Sequence, residues 1–78
     1  MFYVYILRSL KDSTFYTGQT KELTNRIKKH NSGLVKSTRF KIPYRLVYFE
    51  EFSTRAEAML REWELKKKFN TERKNRLI

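Results

Sequence analysis

Six consecutive residues near the start of the chain, Phe2-Tyr3-Val4-Tyr5-Ile6-Leu7, are all aromatic or aliphatic, and this run most narrows what the chain can fold into. Its aromatic and β-branched content predicts a strand from Phe2 to Arg8. Successive strand side chains point to opposite faces, so a strand apolar at every position has two faces to bury. It therefore belongs in the middle of a sheet. Lys11-Asp12-Ser13 is turn material, and Thr14 to Gln19 reads as a second strand joined to the first as a β-hairpin. Gly18 near the end of that strand predicts a bulge or a close backbone approach.

The rest of the chain alternates clearly. Thr20 is positioned to cap a helix from Lys21 to His30, with Leu23, Ile27 and His30 on one face and Arg26 beside it. Asn31-Ser32-Gly33 stops this helix. Residues 34–43 are basic and polar and read as a loop. Tyr44 to Phe52 reads as a third strand. Thr54 followed by Glu57 is a capping-box signature that opens a helix from Arg55 to Lys68. Ala56, Met59, Leu60 and Trp63 form one apolar stripe on it, and Ala58, Leu65 and Phe69 a second, with Glu62 flanking the second. A helix with two apolar faces is sandwiched. One face is expected on the sheet and the other against a short helix from Thr71 to Ile78. The predicted architecture is α+β in the order β-β-α-β-α-α, with a three-stranded, at least partly antiparallel sheet flanked by helices. At 78 residues the chain is expected to form a single domain, residues 1–78.

Charge and residue usage limit the partners. Eighteen Lys plus Arg against eight Asp plus Glu give 18 − 8 = +10. So large an excess in so small a chain favours a polyanion, and nucleic acid is the commonest. There is no cysteine and only one histidine, which excludes thiolate zinc sites and His-rich metal sites. A metal held here would take mainly oxygen ligands, which points to Mg²⁺ or Mn²⁺. No stretch approaches the ~18 apolar residues of a spanning helix, and the apolar N-terminus lacks a basic flank and a small-residue cleavage site. A membrane role and an organic cofactor are not expected, and a cytoplasmic location fits.

Several residues carry potential chemistry. Tyr3, Tyr5 and Leu7 share a strand face, and cross-strand pairing brings Tyr16 toward Tyr5. A phenol, with a reference pKa of about 10, becomes a usable base only beside a cation. Arg26 offers one, and a guanidinium there can also grip a phosphate and offset developing charge. His30, one turn further on, can bond phosphate or water or shuttle a proton. Glu62 stands among bases, with Arg61 before it and Lys66-Lys67-Lys68 after it. It is either an i,i+4 partner of Lys66 or the single carboxylate that anchors one divalent ion. Lys28, Lys29, Lys36, Arg39, Lys66, Lys67 and Lys68, with Arg73-Lys74, read as phosphate-contact surface.

Tyr3-Val4-Tyr5, ten residues, and then Tyr16-Thr17-Gly18 resemble the paired motif of the GIY-YIG endonuclease superfamily, nearest its small stand-alone bacterial branch. Arg26 and His30 sit where that family carries its helix arginine and histidine. The run Ala58 to Lys67 resembles the helix that bears its metal-binding glutamate. The resemblance covers nearly the whole chain. Tyr3 stands for the first motif glycine, Val4 for the first isoleucine and Thr17 for the second. A family asparagine near the C-terminus falls on Asn70 or Asn75. The resemblance implies metal-dependent hydrolysis of DNA phosphodiesters, with Tyr5 or Tyr16 acting on the water, Arg26 on the scissile phosphate, and Glu62 holding one Mg²⁺ or Mn²⁺ that arrives with substrate. It further implies a structure-selective enzyme of DNA repair or processing. With no targeting domain in view, strong sequence specificity is not expected. The rival reading is a non-catalytic nucleic-acid-binding module on the same fold, and a third is an RNA- or ribosome-associated protein.

Overall fold

The computed structural model describes residues 1–68. Strand β1 (Phe2–Ser9) and strand β2 (Phe15–Thr20) form an antiparallel hairpin. Helix α1 (Leu23–Asn31), strand β3 (Tyr44–Phe52) and helix α2 (Arg55–Lys68) follow. The sheet order is β2-β1-β3, antiparallel throughout, so the doubly apolar strand is central as its composition requires. The predicted order therefore holds through α2. The expected final helix, Phe69, Asn70, Asn75 and Arg73-Lys74 lie outside the described residues. Among the described residues no helix is long and apolar enough to cross a membrane.

The alternation of β1 divides the core between the two faces of the sheet. Val4 and Ile6 point to one side, where they are fully buried with Ala58 and Leu65 of α2 and flanked by Phe2, Phe15, Val47, Tyr48 and Phe52. Tyr5 and Leu7 point to the other side and pack with Tyr44, Leu23 and Ile27. Thus α1 covers one face and α2 the other. Two side-chain devices fix these layers. Asn31 at the end of α1 accepts from the Tyr44 N–H at 2.6 Å and donates to the Tyr44 carbonyl at 3.0 Å, which ties α1 to the start of β3. On the opposite face, Arg61 grips the Glu50 carboxylate with two hydrogen bonds of 2.9 and 3.0 Å, and the Tyr48 hydroxyl donates to the same carboxylate. Burial would raise the Glu50 pKa, but the Arg61 and Tyr48 bonds outweigh it and hold the carboxyl low.

Three local expectations change. The first helix begins at Leu23 rather than Lys21, and Thr20 is not its cap. Thr20 completes β2, and its hydroxyl instead accepts from the Glu22 N–H at 3.1 Å. The second strand runs Phe15–Thr20, one residue later than its composition suggests, because Asp12 accepts from both the amide (3.0 Å) and the hydroxyl (2.6 Å) of Thr14 and keeps Thr14 in the turn. On α2 the sheet-facing stripe is Ala58 and Leu65, and Glu62 lies between them in helical spacing rather than beside them. Met59, Leu60 and Trp63 are exposed. The capping box forms as expected, with the Thr54 hydroxyl and amide bonded to Glu57.

Thr17 is 2% exposed, on the α2 side of β2, and its hydroxyl has no hydrogen-bond partner among the described residues. A hydroxyl desolvated without a partner costs stability. Thr17→Val, which keeps the shape and removes that oxygen, is expected to raise the unfolding free energy by about 1 kcal/mol. Urea unfolding measures it, and a destabilised variant would show that the hydroxyl is satisfied in solution.

Candidate active site

The site is built where β1, β2 and α1 meet. Tyr5 stands opposite Gly18 on β2, and Leu7 opposite Tyr16. Because Gly18 has no side chain, the Tyr5 ring lies flat across β2 at that point. A Cβ on Gly18 would fall 2.5 Å from the Tyr5 hydroxyl oxygen and 2.7 Å from Cζ. The glycine thus makes the close approach that its place in the strand predicted, and its backbone angle is ordinary for a strand. The irregularity in the sheet lies elsewhere, between Ile6 and Leu7 where β1 pairs with β3.

Leaning across β2 carries the Tyr5 hydroxyl to α1. Tyr5 Oη lies 3.0 Å from Nε2 of His30, which is fully buried. The Tyr16 ring stacks edgewise on the same imidazole at 4.9 Å between centroids, and lies 6.4 Å from the Tyr5 ring. The other imidazole nitrogen, Nδ1, lies 2.8 Å from the hydroxyl of Thr38, also fully buried, in the loop after α1. One turn before His30, the Arg26 guanidinium faces the Tyr5 and Tyr16 phenols, which push its pKa up, Tyr5 most strongly. Its Nε is buried and has no partner among the described residues. Tyr5 is pushed above the ordinary tyrosine range chiefly by burial, against the lowering pull of Arg26. The Glu62 charge on α2 adds the smallest contribution to that rise.

Burial, with the Arg26 charge behind it, lowers the His30 pKa from 6.5 to about 4. The unfolded chain takes up this proton near pH 6.5 and the folded chain only near pH 4. The stability contributed by the neutral imidazole is therefore complete above pH 6.5, is lost as pH falls from about 6.5 to about 4, and falls no further below that. Between pH 7 and pH 5 the loss is expected to be about 2 kcal/mol. Urea unfolding of wild type and His30→Gln at both pH values checks it. His30 is the only histidine, so the variant should lose the slope, and a wild type that is flat over this interval contradicts the assignment.

The remaining cations are placed unequally. Lys28 and Lys29 are exposed in the last turn of α1. Lys36 and Arg39 are exposed on the loop either side of Thr38, with Arg39 over the Phe40 ring at 4.8 Å. Lys66 is bound to Glu62 at 2.8 Å, so the i,i+4 pair forms. Lys67 lies over the Trp63 ring at 4.4 Å. The Lys68 side chain is outside the described atoms. Tyr5, Tyr16, Arg26 and His30 are thus brought to one place, while Glu62 stands on α2, which covers the other face of the sheet, and the lysines are spread over the surface. Thr38 went unnoticed in the sequence because nothing in a polar loop marks which hydroxyl will be buried.

Comparisons with known proteins show the family. The sequence model of the GIY-YIG catalytic domain matches residues 1–75. A UPF0213 protein of Staphylococcus saprophyticus is 44% identical over 77 residues, covering 97% of this chain and 92% of its own length. A UPF0213 protein of Clostridium perfringens is 52% identical over 68 residues, covering 86% of this chain and 72% of its own. The solution NMR structure of a UPF0213 protein from Bacillus halodurans, 44% identical, superposes with a TM-score of 0.58 over 99% of this chain and 82% of that one. With its paired strand motifs folded around Tyr5 and Gly18 and the match running through nearly every residue, the chain belongs to the GIY-YIG family.

Proposed function

We propose that the chain is a divalent-metal-dependent DNA endonuclease, structure-selective and serving DNA repair or processing, and that it acts as a single domain over residues 1–78 in the cytoplasm. The observation that carries this reading is the convergence on Tyr5: a neutral imidazole against its hydroxyl, a guanidinium with an unpartnered buried Nε beside it, and one carboxylate within electrostatic reach. A buried neutral histidine behind a phenol fixes where the phenol's proton and lone pairs point, which a reaction uses.

The donor set fits a hard divalent ion. Among the described residues no three His, Cys, Asp or Glu cluster, so of these Glu62 would be the ligand, with water and phosphate oxygens completing the shell. That pattern suits Mg²⁺ or Mn²⁺ arriving with substrate, with Lys66 leaving the carboxylate. When bound, such an ion supplies Lewis-acid neutralisation of the phosphate. Tyr5 Oη, its own proton held by neutral His30 Nε2, would turn its lone pairs to the attacking water and orient it, and the proton the water loses passes to solvent. The water oxygen bonds phosphorus, the opposite P–O bond breaks, and solvent protonates the departing oxygen. Arg26, through the terminal nitrogens of its guanidinium, would bind the non-bridging oxygens and offset the charge that builds on them. Lys28, Lys29, Lys36, Arg39 and Lys67 would meet the flanking phosphates, as would Lys66 once it leaves Glu62, and Lys68 is a further candidate by its charge.

One observation favours the second reading, a non-catalytic nucleic-acid binder: Glu62 is already neutralised by Lys66. Nicking of branched and single-stranded DNA with Mn²⁺ decides between them. Cleavage by the wild type, lost in Glu62→Ala, supports the enzyme. Binding with a steep salt slope and no cleavage under any metal supports the binder, and preference for RNA competitor redirects the substrate.

A further inference from the structure

We infer that Thr38 is a positioning residue that sets the tautomer of His30, and so decides which way the Tyr5 hydroxyl points. A neutral imidazole has one N–H and one bare nitrogen, and its neighbours choose which is which. His30 is fully buried, so water cannot make that choice. Its nitrogens have one partner each, Thr38 Oγ1 at 2.8 Å and Tyr5 Oη at 3.0 Å. Both partners are hydroxyls, each able to donate or accept, so the asymmetry has to come from what lies behind them. Behind Thr38 it does: its hydroxyl donates to the Val35 carbonyl at 3.3 Å. With its single proton engaged there, Thr38 accepts from Nδ1–H. Nε2 is then bare and accepts from Tyr5.

The chain of bonds therefore runs in one sense, from Tyr5 O–H to His30 Nε2, from His30 Nδ1–H to Thr38, and from Thr38 O–H to Val35. Its outcome at the site is that Tyr5 turns its proton inward and presents oxygen lone pairs outward, beside Arg26. In the opposite tautomer Nε2–H would donate to Tyr5, the phenol proton would point outward, and the bare nitrogen would face Thr38. Tyr5 would then offer its proton, not a lone pair, to a water beside Arg26. Thr38 is anchored by its backbone as well, since its amide donates to the same Val35 carbonyl at 3.1 Å. The tautomer is thus built into the loop that joins α1 to β3. Its consequence for turnover rests on the endonuclease reading, but its existence does not.

Long-range ¹H–¹⁵N correlation on the intact protein at pH 7 reads the tautomer directly, because the chain has one imidazole. The wild type is expected to carry its proton on Nδ1, and Thr38→Ser to do the same. Thr38→Val, which keeps the shape and removes the acceptor, is expected to shift the proton to Nε2 or to a mixture. In the cleavage assay Thr38→Val is expected to lower kcat about 10-fold with KM unchanged, and Thr38→Ser to restore it. A wild-type proton on Nε2, or a Thr38→Val protein that keeps its proton on Nδ1, overturns the inference. Should Thr38→Val fail to fold, the wild-type and Thr38→Ser tautomers still decide. A protein that cuts nothing yet shows Nδ1–H refutes the nuclease and upholds the tautomer.

Discussion

Arg26→Ala is expected to slow DNA cleavage about 100- to 1,000-fold while leaving the fold in place, the size of effect seen when one charge-stabilising donor is removed from an active site. The guanidinium faces the phenols of Tyr5 and Tyr16, and its Nε is buried with no partner among the described residues. A buried donor left unsatisfied is a liability for stability. Removing it should not destabilise the protein, and an unchanged unfolding midpoint alongside lost activity would separate chemistry from folding. Two consequences follow on activity. The loss should fall mainly on kcat, because the interaction strengthens as charge builds on the phosphate. Arg26→Lys should recover only part of it, because an ammonium keeps the charge and loses the planar fork. Steady-state cleavage of a branched duplex with Mn²⁺ measures both. If Arg26→Ala cuts at the wild-type rate, the cleft is not where phosphate reacts.

Gly18→Ala is expected to cost about 2–4 kcal/mol of stability and to suppress cleavage along with it. This strand glycine owes nothing to a special backbone angle. Its methyl would sit 2.5 Å from the Tyr5 hydroxyl oxygen, 2.7 Å from Cζ and 3.1 Å from the Tyr16 ring. The Tyr5 ring cannot retreat without giving up the 3.0 Å contact with His30, and that would leave a buried imidazole nitrogen bare. Tyr5→Leu removes the obstructing ring end, so Gly18→Ala should cost far less in that background. The double-mutant cycle should therefore be strongly non-additive. Gly33 is the contrast. It has a φ of +82° and nothing within 4 Å of a Cβ, so Gly33→Ala should cost only about 1 kcal/mol, through the backbone alone. Equal effects at the two glycines would mean that the contact between Tyr5 and Gly18 is not tight in solution.

Much of the fold was legible from local chemistry. A strand with no polar face has to be central, and β1 is. Tyr44–Phe52 begins and ends as its composition requires and α2 begins at Arg55 as its capping box requires, because strand content and caps act within a few residues. Thr20 misled for the same reason. A threonine is equally at home ending a strand or capping a helix, and the hairpin register, which is a contact with β1, settled the matter. Glu62 was legible as a carboxylate between Arg61 and the Lys66-Lys67-Lys68 run. That it lies on the buried stripe between Ala58 and Leu65 depends on how α2 meets the sheet.

The sequence by itself therefore determined the order of elements, the central strand, the excess of positive charge, and the residues Tyr5, Tyr16, Arg26, His30 and Glu62 as candidates, since each of these follows from residue type and short-range spacing. Only the tertiary structure decided which of them touch. Tyr5 reaches His30 across Gly18 over 25 residues of chain, and His30 reaches Thr38 through a loop with no periodic signal. Those contacts are set by which surfaces the sheet and α1 bury together. Burial is what turns a lone histidine into a neutral hydrogen-bond acceptor and an ordinary threonine into the residue that orients it.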